Sequence, residues 1–146
     1  MILTDFINSV SVNPLIGAND DRFGTRFSDM SEPYSKELIK KARYVAENLK
    51  IPYQQGIYTF FQGPYYETAA EISAFSRMDS DTVGMSTVPE TIAANYLGMN
   101  VLGIACITNM ATGIAKEKHS HEEVVRVANE SSEKLCKWLK ELLLSW

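Results

Sequence analysis

The sequence predicts an α/β fold. Short runs rich in β-branched and aromatic residues alternate along the chain with segments of three-and-four apolar spacing. The strand-like runs end at turn residues such as Gly63-Pro64, and residues 100–108 form one continuous apolar stretch, the mark of a strand buried on both faces. At 146 residues the chain fits a single domain, 1–146, with room for a real core, and no repeat, low-complexity tract or linker divides it.

The elements follow in order. Residues 2–6 suit a short strand, and residues 13–29 form a long irregular segment holding Gly17, Gly24 and the Asn19-Asp20-Asp21 cluster. A loop of that length inside a domain is usually functional or poorly ordered. Residues 35–50 carry Leu38, Ile39, Ala42, Val45, Ala46 and Leu49 at helical spacing, with Pro52 as a stop. A strand is expected over 56–62, a helix over 67–78 and a short strand over 82–85. Pro89 suits the first turn of a helix reaching Leu97, and Gly98 is placed to end it in a left-handed conformation. After the apolar strand of 100–108, Ser120 and Glu123 have capping-box spacing. They open a last helix with a buried stripe of Val124, Val127, Leu135, Trp138, Leu139 and Leu142.

Composition narrows the function classes. A hydrophobic fraction of 45% and a charged fraction of 22% are those of an ordinary globular protein. Lys and Arg number 14 against 18 Asp and Glu, a net charge of −4, so no basic field invites nucleic acid. The pairs at Lys40-Lys41 and Lys116/Lys118 have acidic neighbours and read as solvated faces. Cys106, inside the apolar run, reads as a small buried hydrophobe, and Cys136 falls on the last helix. No cysteine or histidine spacing suggests a metal site. Neither a signal peptide nor a membrane-length apolar run is evident, so a cytoplasmic protein with no membrane partner is the expectation.

Chemistry-bearing residues collect where strands turn into loops. An ionised Glu67 accepts hydrogen bonds only, which matches the N1–H side of an oxopurine, and Tyr66 beside it can stack on a base. As a first-turn acid, Glu67 would equally serve the helix dipole. Asn109 closes the apolar run with one amide that can donate and accept together; an Asx turn is its plainer use. Ser86 and Thr87 precede a helix whose free N–H groups favour anions, and either could instead cap that helix. His121 suits a sugar hydroxyl or an exposed first turn, and His119 has less claim; Met85 and Tyr58 could pack on a sugar or in the core.

In combination these residues resemble a known family. NPLIGANDDRFGTRF (13–27), GPYYETAAEI (63–72), VGMSTVPE (83–90), ITNMATGIA (107–115) and HSHEEV (119–124) are similar to successive blocks of the trimeric purine nucleoside phosphorylases that act on 6-oxopurine nucleosides. The resemblance covers nearly the whole chain. It implies a three-layer phosphorylase-like fold, a mixed central sheet flanked by helices, with the N-terminal part of the sheet missing. It implies Glu67 on the purine N1 side, Tyr66 stacked on the base, and Asn109 on N7 and O6, where it would stabilise charge in the transition state. Met85, Tyr58 and His121 would contact the ribose, Ser86 the phosphate, and Phe23 a neighbouring subunit's ribose pocket. Residues 111–120 would form a gate.

The implied reaction is reversible phosphorolysis of inosine or guanosine in purine salvage, with inorganic phosphate as co-substrate and no metal or organic cofactor. A homotrimer follows from the same resemblance. A related branch that prefers methylthioadenosine has an aspartate in place of Asn109. Family members are roughly twice this long, and their glycine-rich phosphate loop has no counterpart here. The chain is therefore expected to be a C-terminal half, active with a complementary N-terminal half. A non-catalytic nucleobase-binding remnant or modulating subunit is the alternative, and a remnant without a stable fold is a third reading.

Overall fold

The structure, a computed structural model, describes residues 1–115 and 120–145. Its sheet holds β1 (Ile2–Asn8), β2 (Gln55–Phe60) and β3 (Thr82–Gly84) in that order, each parallel to its neighbour. Helix α1 (Lys36–Asn48) joins β1 to β2, and α2 (Ala69–Arg77) joins β2 to β3. Helices α3 (Val88–Tyr96) and α4 (His121–Leu144) follow. The alternation read from the sequence is present, with ends shifted by one or two residues at most strands and helices.

Strand periodicity divides the core into two layers. Ile2 packs with Ala42, Val45 and Ala46 of α1 and with Trp138 and Leu142 of α4. Leu3, its neighbour, points the other way and packs with Tyr34, Tyr58 and Phe60 and with Val88 and Ile92 of α3. The sheet thus lies between α1 and α4 on one face and α3 on the other. Buried Trp138 locks α4 to α1 by donating its indole N–H to the Ala42 carbonyl at 2.9 Å.

Helix ends obey local chemistry. Ser35 caps α1 by accepting from the Leu38 N–H. Thr68 and Glu71 form a full capping box on α2, so Glu67 lies outside the helix rather than in its first turn. The Thr68 N–H and hydroxyl hold the Glu71 carboxyl below its ordinary pKa. At α4, Ser120 accepts from the Glu123 N–H, but the Glu123 carboxylate pairs with Arg126, so only half of the expected box forms. Gly98 has φ 73 at the end of α3, as its position suggested.

The apolar run departs from expectation. Residues 100–108 form no strand, only an isolated antiparallel bridge between Ile104 and Ile2. Gly103 and Ala105 bond to the start of β1 and the residue before it, through Leu3 N–H to Gly103 O and Ala105 N–H to Met1 O. Among the described residues the opposite edge has no strand beside it, so the run is covered on one side. For the same reason Cys106 is exposed rather than buried. On α4 the stripe is buried at Trp138 and Leu142, while Leu139 is 39% exposed. Among the described residues no helix is long and apolar enough to cross a membrane.

Candidate functional site

The C-terminal ends of the strands are where α/β sheets usually place ligands. A cleft of about 600 Å³ opens there, between the end of β3, the segment before α2 and residues 104–111. Tyr58, Tyr66, Glu67, Met85, Ser86 and Asn109 all line it. Phe23 and His121 do not. Phe23 stands on the 13–29 loop, 58% exposed, with the Arg22 guanidinium 5.7 Å from its ring centre. His121 is the exposed first residue of α4. Of the gate segment, Ala111 and Ile114 line the cleft, while residues 116–119, including His119 and the Lys116/Lys118 pair, lie outside the described residues.

Glu67 is the least ordinary side chain in the lining. It is only 7% exposed, yet its carboxylate has no hydrogen-bond partner among the described residues. Among the described residues no side-chain oxygen is both buried and unpartnered, so this carboxylate meets solvent in the cleft, where an N–H donor can replace water. Tyr66, 40% exposed, stands beside it at the same wall. Across the cleft the Asn109 carboxamide is held within its own loop. Its oxygen accepts from the Thr108 hydroxyl at 2.7 Å, and its amide donates to the Met110 carbonyl at 3.2 Å.

Two glycines permit the side-chain packing beneath and beside the cleft. A Cβ on Gly84 would stand 2.1 Å from the Tyr58 hydroxyl, so the absence of a side chain lets the Tyr58 ring lie across β3. That hydroxyl in turn accepts from the Ser86 N–H at 3.4 Å. Gly63, at φ +65, has Met85 Sδ where its Cβ would be. Ser86 Oγ lies 3.1 Å from Thr87 Oγ1, and neither hydroxyl caps α3. Sequence reading placed Gly63 at a strand-ending turn and Gly84 and Thr108 within motif segments, but gave none of the three a role in the site.

A parallel sheet between helices, with a cleft at its strand ends, defines an α/β protein. The family model of the phosphorylase superfamily matches residues 1–144, and the chain belongs to that superfamily. It is similar to purine nucleoside phosphorylase 1 of Bacillus subtilis, 49% identical over 100% of this chain and 54% of the relative. Purine nucleoside phosphorylase 1 of Geobacillus stearothermophilus is 46% identical over 98% of this chain and 52% of the relative. A Schistosoma purine nucleoside phosphorylase in complex with hypoxanthine superposes with a TM-score of 0.93 at 35% identity, covering 97% of this chain and 53% of the other. The Schistosoma mansoni protein in complex with inosine gives the same TM-score. The chain spans about half the length of the curated relatives it matches.

Proposed function

We propose that this chain supplies the purine side of a purine nucleoside phosphorylase. The reaction is reversible phosphorolysis of 6-oxopurine ribo- or deoxyribonucleosides to free base and pentose 1-phosphate, in purine salvage. The observation that carries the reading is Glu67, a mostly buried residue whose carboxylate makes no hydrogen bond among the described residues and opens to the cleft, together with Tyr66, Asn109, Met85 and Ser86. Glu67 accepts from N1–H of hypoxanthine, or from N1–H and the amino group of guanine. Tyr66 stacks on the ring. Asn109 turns out of its loop contacts to meet N7 and O6, and donation to N7 there stabilises the charge that develops as the glycosidic bond breaks.

Met85 and Tyr58 line the ribose side, Ser86 donates to phosphate, and His121 reaches the 5′-hydroxyl. Phe23, exposed and outside this cleft's lining, enters that of a neighbouring subunit in a homotrimer. Phosphate is the co-substrate; neither a metal nor an organic cofactor takes part, and the enzyme works in the cytoplasm. Full activity requires a complementary N-terminal half, because the relatives similar to this chain are about twice its length. A non-catalytic purine-binding subunit is the second reading, favoured by the lack of a glycine-rich phosphate loop.

The test is phosphate-dependent release of hypoxanthine from inosine, by the chain alone and mixed with a separately made N-terminal half. Activity in the mixture alone is expected. Glu67→Ala should weaken hypoxanthine binding roughly 10- to 100-fold, the worth of a charged hydrogen bond, with the unfolding midpoint little changed. Unaltered affinity would remove Glu67 from the base site. Hypoxanthine binding without turnover in either preparation would leave the second reading.

A further inference from the structure

We infer that Thr87 is a positioning residue, held in a strained turn that aims its hydroxyl at Ser86 and sets Ser86 Oγ as the donor to an anionic oxygen in the cleft. This rests on the proposed role of Ser86 toward phosphate. Thr87 has φ 76 and ψ −48, and the Val88 N–H donates to the Ser86 carbonyl across it at 2.8 Å. That is a γ-turn of the rare, strained hand. A β-branched residue at positive φ is an outlier, and such strain persists only where the surroundings over-determine it.

The surroundings here do so from both sides. Ahead of the turn, the Ser86 N–H donates to the hydroxyl of buried Tyr58. Behind it, the Thr87 carbonyl accepts from the Thr91 N–H and the Thr91 hydroxyl, both at 2.9 Å. Thr91 is itself 3% exposed and lies 3.3 Å from the Tyr34 hydroxyl. The turn is therefore clamped between two core side chains.

What the turn does is visible in the side chain. Thr87 occupies the N-cap position of α3, where threonine normally accepts from a first-turn N–H, but it makes no side-chain cap bond. Its Oγ1 lies 3.1 Å from Ser86 Oγ instead. Each hydroxyl has one proton to give. When Ser86 donates into the cleft, Thr87 donates to Ser86, and the two bonds in series polarise each other. Helix capping is given up in favour of an oriented serine.

The experiment compares Thr87→Gly, Thr87→Val and Thr87→Ser in the 146-residue chain, with Ser86→Ala as reference. Thermal unfolding and calorimetric binding of inorganic phosphate are both measured. Thr87→Gly relieves the turn, so Tm should rise by about 2–4 °C while phosphate Kd rises about tenfold. A residue with a purely structural role would not gain stability and lose affinity together. Thr87→Val keeps the β-branch and loses the hydroxyl, so Tm should hold and Kd rise; Thr87→Ser should restore affinity. If Thr87→Gly and Thr87→Val bind phosphate like the unsubstituted chain while Ser86→Ala does not, the inference fails and the phosphate reading stands. A lower Tm for Thr87→Gly also overturns it. If Ser86→Ala binds phosphate undiminished, or the unsubstituted chain binds none, the role of Ser86 falls and this inference with it.

Discussion

Tyr58 depends on an atom that Gly84 does not have. The β2–β3 register places Phe60 opposite Gly84 and Tyr58 opposite Thr82, and the Tyr58 ring leans along the sheet into the gap that glycine leaves. Its hydroxyl then meets the Ser86 N–H, so one missing methyl connects strand pairing to the cleft lining. Gly84→Ala would push a Cβ to 2.1 Å from that hydroxyl, closer than real atoms approach. Tyr58 is 5% exposed and has little room to give way. Overpacking of this kind costs about 1–3 kcal/mol. Urea unfolding should show that loss for Gly84→Ala, and Tyr58→Phe in the same chain should recover part of it by removing the clashing oxygen. Strictly additive costs for the two substitutions would mean that the contact does not exist.

At the scale of elements, three helices end alike with three different residues. Lys50, Asp79 and Gly98 follow α1, α2 and α3 at φ 55, 60 and 73, and in each case the next N–H reaches back across the last turn. The bonds are Ile51 N–H to Ala46 O, Ser80 N–H to Phe75 O and Met99 N–H to Ala94 O, the paired pattern of a Schellman end. Glycine suits that place, aspartate tolerates it, and lysine has a Cβ that resists it. Lys50→Gly should therefore stabilise the chain by about 0.5–1 kcal/mol, after the entropic cost of glycine. An unchanged denaturation midpoint would show that Lys50 carries no strain there.

These ends also show what the sequence could reveal. Gly98 was readable as a stop because glycine advertises its conformation; Lys50 and Asp79 were not, because the tertiary chain path, not propensity, puts them there. Tyr66, Glu67, Met85 and Ser86 were legible as a group because each flanks a strand end or turn with Gly or Pro nearby. The supporting roles of Gly84 and Thr87 were hidden, since close approach and backbone strain leave no periodic mark. Residues 100–108 misled because a continuous apolar run records hydrophobicity, while a strand needs a run of ladder bonds to a neighbour, and here only the single bridge of Ile104 to Ile2 forms.

That unpaired edge governs the behaviour of the whole molecule. Along residues 101–105 the odd positions are engaged: Val101 O accepts from Ser35, Gly103 O from Leu3, and Ala105 exchanges bonds with Met1. Leu102, Ile104 and Cys106 turn their backbone groups the other way, and among the described residues nothing meets them. Such a row is a template for another strand. Because the proposed enzyme needs a complementary N-terminal half, that half is the occupant this edge is expected to take. Amide hydrogen exchange, read residue by residue, distinguishes strand addition from general tightening. In the chain alone, the Leu102, Ile104 and Cys106 amides should exchange quickly, whereas the Ala105 amide, already bonded to Met1, should be slower. Adding the N-terminal half should slow the three alternate amides by about 100-fold or more, the effect of placing them in a stable ladder, and change Ala105 far less. Equal slowing at all four positions would indicate overall stabilisation without a strand at this edge. No change at Leu102, Ile104 and Cys106, in a mixture that has regained activity, would place the joining surface elsewhere.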